Sequence, residues 1–250
     1  MNIEQILVGA IIGLLIGLTG TGGGSLMTPF LVFYGVPVQT AIGTDLLYAA
    51  ITKVFGLRYH HRMGNISSDI VFKLFGGSLI GILLASLLLG FGNNEVTESL
   101  MLTGLGFMLI ISALLTFYQS RLKIPVKWAT AERKNYVLIF SGLLLGFVVS
   151  LTSVGVAITG VALLMILFPQ MPPLRVIGTN MAFATPLAVI AGISHWLLGS
   201  VDFSLLFSLL AGSIPAVMVG VRLGNWLPRR IMHNLLVCIL FLSGARLILV

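Results

Sequence analysis

The chain alternates long apolar stretches with short polar connections. Six of the stretches are continuous, and each is close to the roughly 20 residues that an α-helix needs to cross a bilayer. This pattern predicts an all-α integral membrane protein. The six continuous stretches are residues 38–57, 69–90, 98–118, 174–198, 203–221 and 232–249.

Two further apolar stretches, 4–34 and 135–168, are interrupted by small polar residues. The first is broken by the sequence TGTGGGS at 19–25, and the second is broken around 150–155. Each stretch is too long for a single helical crossing and too short for two complete ones. We therefore predict that each forms a broken re-entrant hairpin, which enters and leaves the membrane on the same side.

The chain also divides into two similar halves. When the first half is aligned with the second, GTD at 43–45 falls on GTN at 178–180, and His60 falls on His195 without a gap between them. Upstream, glycines 13 and 17 match glycines 142 and 146 if the second half has a six-residue insertion. Each half contains one hairpin and three crossings, and an odd number of crossings makes the halves inverted relative to each other. The predicted organisation is a first repeat at 1–118, a basic cytoplasmic linker at 119–134 and a second repeat at 135–250.

The charged residues predict the orientation. Lys and Arg mark cytoplasmic connections, and they are found in the connections 58–69, 119–134 and 222–230. The connections 91–98 and 199–202 carry only acidic charges. These assignments place both chain termini outside the cell. They also place His60 and His61 in a cytoplasmic loop.

Composition excludes several functional classes. Hydrophobic residues make up 58% of the 250 residues and charged residues 8%, whereas soluble domains carry about 25% charged residues. The net charge of +7 comes from basic residues that orient the chain in the bilayer, so nucleic acid is not a predicted partner. The single Cys238 excludes an intrachain disulfide and a cysteine-based metal site. We identify no catalytic triad or metal-ligand spacing, and we predict no enzyme activity, cofactor or metal.

The two helix breaks are the candidate substrate site. A break frees backbone N–H groups that lipid cannot satisfy, so such backbone is tolerated where it lines a cavity or meets a ligand. Helix N-termini and glycine-rich turns present N–H groups to anions, and broken helices in matched halves are the usual transport site. The predicted substrate-binding residues are Thr19, Gly20, Thr21, Gly22, Gly23, Gly24, Ser25, Thr44, Asp45, Ser150, Thr152, Ser153, Gly155, Thr179 and Asn180.

Four ionisable residues have alternative interpretations. Asp45 is either a functional acid in the membrane or a helix cap and partner for Lys53. Lys53 either pairs with Asp45, extends to the inner surface or attracts an anion. Arg175 either guards a cytoplasmic opening or anchors its helix at the inner surface. His195 either carries protons or donates a hydrogen bond to a carbonyl group.

The glycine-rich break resembles a known family. The sequence GTGGGSLMTPFL at 20–31, followed by AIGT at 41–44, is similar to the sulfite exporter TauE/SafE family of membrane permeases. GTN at 178–180 and residues 195–199 resemble the second half of that family, although 150–155 lacks the glycines of the first break. The resemblance implies a multi-pass protein of the bacterial inner membrane that exports sulfite or an organosulfonate by alternating access. An anion channel, or a permease for another small anion, is the alternative, and a homodimer is left open.

Overall fold

The computed structural model describes residues 3–19, 24–92, 94–118, 131–224 and 229–249. These residues form a helical bundle, which confirms the predicted all-α class. The helices are α1 (Ile3–Thr19), α2 (Gly24–Phe33), α3 (Val38–Arg62), α4 (Ser68–Phe91), α5 (Asn94–Tyr118), α6 (Ala131–Thr152), a π-helical turn (Val156–Gly160), α7 (Val161–Leu167), α8 (Pro173–Leu197), α9 (Phe203–Gly224) and α10 (Arg229–Leu249).

Five helices in the described part of the chain, α4, α5, α6, α8 and α9, are long and apolar enough to cross a membrane. The ranges Ile3–Leu18, Val156–Leu167 and Asn234–Leu249 form shorter apolar helices. Large aliphatic and aromatic side chains, such as Leu83, Phe107, Phe140 and Phe207, are exposed on the outside of the bundle. An exposed apolar belt of this kind is suited to lipid. The protein is therefore a multi-pass membrane protein.

Helix α3 is longer than its apolar stretch. It continues through the basic residues after position 57 and ends at Arg62, because cations stabilise the negative C-terminal end of a helix. Gly64 then takes a left-handed conformation with φ of 67° and donates its N–H to His61 O at 3.1 Å, a common helix stop. The prediction that His60 and His61 lie in a loop is wrong, since both belong to the last turn of α3.

Each interrupted segment returns to the end of the bundle where it began. Tyr34, just after α2, donates a hydrogen bond from its hydroxyl to Glu4 Oε2 at 3.0 Å, in the first turn of α1. Lys134, near the start of α6, lies with its Nζ 5.5 Å from the ring centre of Phe168, just after α7. The two segments thus have the geometry of hairpins.

The two ends of the bundle differ in charge. One end, called the acidic end, contains the starts of α1, α3 and α9, where Asp202 donates its N–H to Thr44 Oγ1 at 3.2 Å. The opposite end, called the basic end, contains the starts of α4, α6 and α8, where Ser67 donates its N–H to Thr179 Oγ1 at 3.0 Å. The exposed acids of the acidic end are Glu4, Glu95, Glu98 and Asp202, and the exposed cations of the basic end include Arg58, Arg62, Arg133 and Arg175.

The hairpins are held by close helix pairs. Helix α1 packs along α9, α6 packs along α4, and α3 and α8 lie against each other between these pairs. At both outer pairs the contact is glycine against backbone: a Cβ at Gly13 would lie 2.6 Å from Ser213 Cα, and one at Gly146 would lie 2.3 Å from Ser78 O. Small residues let membrane helices approach this closely, and the approach holds α1 against α9 and α6 against α4.

Candidate functional site

A small enclosed cavity lies where the two hairpin breaks meet helices α3 and α8. Its polar lining comes from Ser25 after the first break, Lys53 on α3, and Ser153 and Gly155 in the second break. The other described lining residues are alanines and larger aliphatic side chains. The space is about 10 Å³, roughly enough for one water molecule. A few convergent polar groups in an apolar enclosure are typical of small-molecule sites.

Asp45 on α3 connects the two hairpins beside this cavity. Its side chain is fully buried, and its Oδ2 accepts hydrogen bonds from Thr28 Oγ1 of α2 and from Ser153 Oγ at 2.9 Å. The Thr28 backbone N–H also faces the carboxyl group. Oδ1 has no hydrogen-bond partner among the described residues. A buried carboxylate needs compensating partners, so this one is only partly satisfied.

The second break presents Ser153 through an unusual backbone. Helix α6 ends at Thr152, and the chain turns through Ser153 at φ of 56° and Gly155 at φ of 119°. A non-glycine residue with positive φ is uncommon. The φ of Gly155 is one that residues with a Cβ rarely adopt, so the backbone angle favours glycine there. The π-helical turn that follows is a feature frequent at functional sites.

Asn180 on α8 is the residue that the predicted repeat aligns with Asp45. It is buried and donates a hydrogen bond from Nδ2 to Val156 O at 3.0 Å, in the π-helical turn. Its Oδ1 has no hydrogen-bond partner in the described part of the chain, and it would lie 2.1 Å from a Cβ at Gly160. The Asn180 amide thus donates to the second hairpin, whereas the Asp45 carboxyl group accepts from both hairpins.

Lys53 is the cation of the cavity. It lies two helical turns beyond Asp45 on α3 and is partly exposed. Asp45 is close enough to interact with it electrostatically, but the described residues give Lys53 no salt bridge within 4.0 Å; the ion pair that they contain is Lys73 with Asp69. An ammonium group beside serine hydroxyls, without a paired carboxylate, is suited to a small anion.

A wider cavity of about 540 Å³ opens at the basic end of the bundle. Lys134 and Arg175 line it together with Asp69, and Asp69 is already paired with Lys73. The opening therefore has a positive balance. It is lined by the start of α4, the start of α8 and the connection after α7, so it adjoins the second hairpin.

A family profile and several related proteins match the chain. The profile of the sulfite exporter TauE/SafE family matches residues 5–247. The chain belongs to this family. It is 35% identical to the probable membrane transporter protein YjnA of Bacillus subtilis, over 99% of this chain and 100% of that protein. It is 28% identical to the probable membrane transporter protein YdhB of the same organism, over 92% of this chain and 93% of that protein.

A more distant relative extends the same description. The probable membrane transporter protein MJ0441 of Methanocaldococcus jannaschii is 26% identical, over 86% of this chain and 79% of that protein. No solved structure gives a significant match. The resemblance inferred from the glycine-rich motif is confirmed, and this TauE/SafE chain is a membrane transporter and not an enzyme.

The residues predicted for the TauE/SafE substrate site fall into groups. Ser25, Ser153, Gly155 and Lys53 line the small cavity, and Asp45 and Asn180 bond to the segments that form it. Gly20, Thr21, Gly22 and Gly23 lie outside the described residues, while Thr19 ends α1 and Gly24 begins α2. Within the described residues, no group of three or more His, Cys, Asp or Glu side chains could hold a metal ion.

Three other predicted residues of the described part of the chain, Thr44, Thr152 and Thr179, do not line the cavity. Thr44 and Thr179 are buried in the second turns of α3 and α8, and each accepts an N–H from the connection that precedes α9 or α4. Thr152 donates its hydroxyl to Val148 O at 2.8 Å, within α6. These three residues connect backbone segments, and their part in substrate binding stays a prediction.

His195 and Ser150 are also linked to each other. His195 Nε2 lies 2.8 Å from Ser150 O, which favours the carbonyl-binding alternative for this histidine. The Ser150 hydroxyl has no hydrogen-bond partner among the described residues. Arg175 is exposed and lines the wider cavity at the basic end, as an opening residue would.

Thr28 was missing from the sequence prediction, although it lies inside the glycine-rich motif. Ser25 and Thr28 are three residues apart on α2, so they occupy neighbouring positions on one helix face. Ser25 lines the cavity, and Thr28 donates to Asp45. A search for hydroxyl groups at helical spacing after the break would have found it.

Proposed function

We propose that the chain transports a small sulfur oxyanion, sulfite or an organosulfonate, across the bacterial inner membrane. The cavity between the hairpin breaks is its binding site. The observation that supports this proposal most is the convergence of Ser25, Ser153 and Lys53 on one enclosed space. Hydroxyl donors and an ammonium group complement an anion with several acceptor oxygens, and the family name points to the same chemistry.

The size of the cavity corresponds to a closed state of the transport path. A space of about 10 Å³ holds roughly one water molecule, so a sulfur oxyanion enters only when the hairpins move apart. An alternating-access carrier requires such a closed state between its two open states. We infer that the hairpins and the helices packed on them, α9 and α4, are the parts that move.

We further infer that the two halves form an inverted repeat. Hydrogen bonds and close contacts recur in the two halves at corresponding positions. The bond from Ser67 to Thr179 repeats as the bond from Asp202 to Thr44, and the alignment that matches Thr44 with Thr179 also matches Ser67 with Asp202. A Cβ at Gly77 would lie 1.9 Å from Ile139 O, and one at Gly212 would lie 1.9 Å from Ile6 O.

The same contacts refine the alignment of the first helices. Residue 6 corresponds to 139, and Gly13, which meets Ser213, corresponds to Gly146, which meets Ser78. This alignment differs by one helical turn from the match of Gly13 to Gly142 suggested by the sequence. With it, Thr19 at the end of α1 corresponds to Thr152 at the end of α6, so the two breaks become equivalent.

The orientation follows from the charges of the two ends. Because Lys and Arg mark cytoplasmic connections, the basic end faces the cytoplasm and the acidic end faces outside. Both termini then lie outside, and the wide cavity with Lys134 and Arg175 is the cytoplasmic opening. An exporter would collect its anion there.

Sulfite flux in proteoliposomes tests this function. Wild-type protein should show saturable uptake and counterflow exchange, whereas linear flux without counterflow would indicate a channel. Lys53→Gln and Ser153→Ala should each lower exchange at least tenfold, about 1.4 kcal/mol of lost anion stabilisation. The control is Glu98→Gln, an exposed acid of the acidic end, which should leave exchange unchanged. Full activity of Lys53→Gln would contradict the assignment of the site.

A further inference from the structure

The placement of Asp45 conflicts with an anion site unless its charge changes. The carboxyl group bonds to Ser153, and Ser153 lines the cavity. An anion in the cavity and a carboxylate directly behind Ser153 would compete for the same hydroxyl donors, and they would repel each other in surroundings with little water. Asp45 does not itself line the cavity in the described residues, so it acts on the site through Ser153.

Lys53 is the only permanent positive charge that the described residues around Asp45 offer against the repulsion between the anion and the Asp45 carboxylate. Helix α2 and the segment from Ser153 to Leu167 contribute no ionisable side chain. Helix α8 contains Arg175, which lies at the basic end, and His195, whose Nε2 is bonded to Ser150 O. Asp202 lies before α9 at the acidic end. On α3 itself, Tyr48 is buried and Lys53 lines the cavity. Lys53 can neutralise one negative charge, the anion or Asp45, but not both.

The second half shows that a neutral group fits the corresponding place. Asn180 donates to Val156 O as a protonated Asp45 could donate to an oxygen on its own side. In addition, Asp45 Oδ1 has no hydrogen-bond partner among the described residues, so one oxygen is available to carry a proton. The carboxylate form is stabilised by Thr28 and Ser153, and an anion that draws Ser153 toward itself removes part of that stabilisation.

We propose that Asp45 takes up one proton when the anion enters the cavity and releases it when the anion leaves, so that the anion and a proton cross together. In the empty site the carboxylate holds both hairpins through Ser153 and Thr28. In the loaded site the anion holds Ser153 and Lys53, and Asp45 is neutral. This inference rests on the proposed anion transport and adds the coupling ion to it.

Coupling of the anion to a proton changes the free-energy gradient that drives its transport. A monovalent anion that leaves alone is driven outward by about 2.3 kcal/mol per 100 mV of negative-inside potential. Together with a proton it carries no net charge, and the potential has no effect. The direction of transport is then set by the anion gradient and the pH gradient, and an alkaline interior favours uptake over export.

The test is ΔpH-driven accumulation of sulfite in proteoliposomes, with the membrane potential clamped at zero. Wild-type protein is compared with Asp45→Asn, which copies Asn180. Protons that sulfite carries by itself affect both proteins equally, so the difference between them belongs to Asp45. For one unit of ΔpH the wild-type protein should reach a gradient about tenfold higher than the variant. The variant should still catalyse counterflow exchange. Glu98→Gln, an exposed acid of the acidic end, is the control and should behave as wild type.

The following results would overturn proton coupling through Asp45. An equal ΔpH response in Asp45→Asn overturns the proposal, and so does a correctly folded variant without any exchange, because a neutral group at this position should still permit exchange. If the variant does not fold, wild-type protein is tested with methanesulfonate, which has no exchangeable proton at neutral pH. Accumulation independent of ΔpH then overturns proton coupling. Absence of exchange of either anion by wild-type protein contradicts the proposed function itself.

Discussion

Two adjacent glycines on α4 give a sharp test of the helix packing. A Cβ at Gly77 would lie 1.9 Å from Ile139 O, 2.8 Å from Ile139 C and 3.0 Å from Leu143 N, whereas a Cβ at Gly76 would have nothing within 4 Å. Ordinary contact begins at 3.4 Å, so Gly77→Ala would push α4 and α6 apart. The atoms in contact belong to the backbone and cannot rotate away.

The cost of the close contact is the difference in the free energy of unfolding between the two variants. Both exchange glycine for alanine inside the same helix, so both gain up to about 1 kcal/mol of helix propensity. Gly77→Ala additionally suffers overpacking of about 1–3 kcal/mol. Separation of the helices would also weaken the neighbouring contact of Gly146 with Ser78, because van der Waals packing is the main attraction between helices in lipid.

Thermal unfolding of the purified protein in detergent measures this difference. At roughly 2–4 °C of Tm per kcal/mol for a chain of this size, Gly77→Ala should unfold at least about 2 °C below Gly76→Ala. Gly212→Ala on α9 should show a similar loss, since its Cβ would lie 1.9 Å from Ile6 O on α1. If Gly77→Ala proved as stable as Gly76→Ala, the close approach of α4 and α6 would be refuted.

Two further predictions concern the ends of the bundle. Arg175→Gln should raise the half-saturating sulfite concentration several-fold at low salt. The increase should be smaller at high salt, because salt screens an exposed charge. A loss of maximal rate alone would argue against a role of Arg175 at the opening. In a Cys238→Ser background, Glu98→Cys should react with an impermeant maleimide from outside intact cells, while Lys73→Cys should react only after permeabilisation. The opposite labelling pattern would reverse the orientation.

The helical architecture could be predicted because lipid restricts the secondary structures that a chain can adopt. A spanning segment must be apolar, long enough and internally hydrogen bonded, so runs such as 69–90 and 174–198 are recognisable without any tertiary information. The end of α3 could not be predicted in the same way. Its last turn is basic and lies beyond the apolar run, and it is held by the backbone hydrogen bonds of Gly64 and Asn65.

The breaks were predictable from composition, but their meeting point was not. Glycine and serine clusters show that a helix stops, while the approach of Ser153 to Asp45 joins residues 108 positions apart and depends on the packing of both halves. Thr44 and Thr179 show the opposite problem. Their matched positions suggested a shared substrate role, yet each bonds a backbone N–H of the other half.

These examples separate two kinds of position in the proposed repeat. Pairs that are identical in the two halves, such as Thr44 with Thr179, satisfy a structural need that arises twice. Two pairs that differ lie in or beside the cavity: Asp45 corresponds to Asn180, and Lys53 corresponds to Ala188, which lines the same space. In both pairs the ionisable side chain belongs to the first half, so an anion between the hairpins would lie closer to α3 than to α8. Because the charged residues lie on one side, the two hairpins would affect Asp45 differently when they move. Displacement of the second hairpin would remove the hydrogen bond from Ser153 to Asp45. Displacement of the first hairpin would remove the hydrogen bond from Thr28.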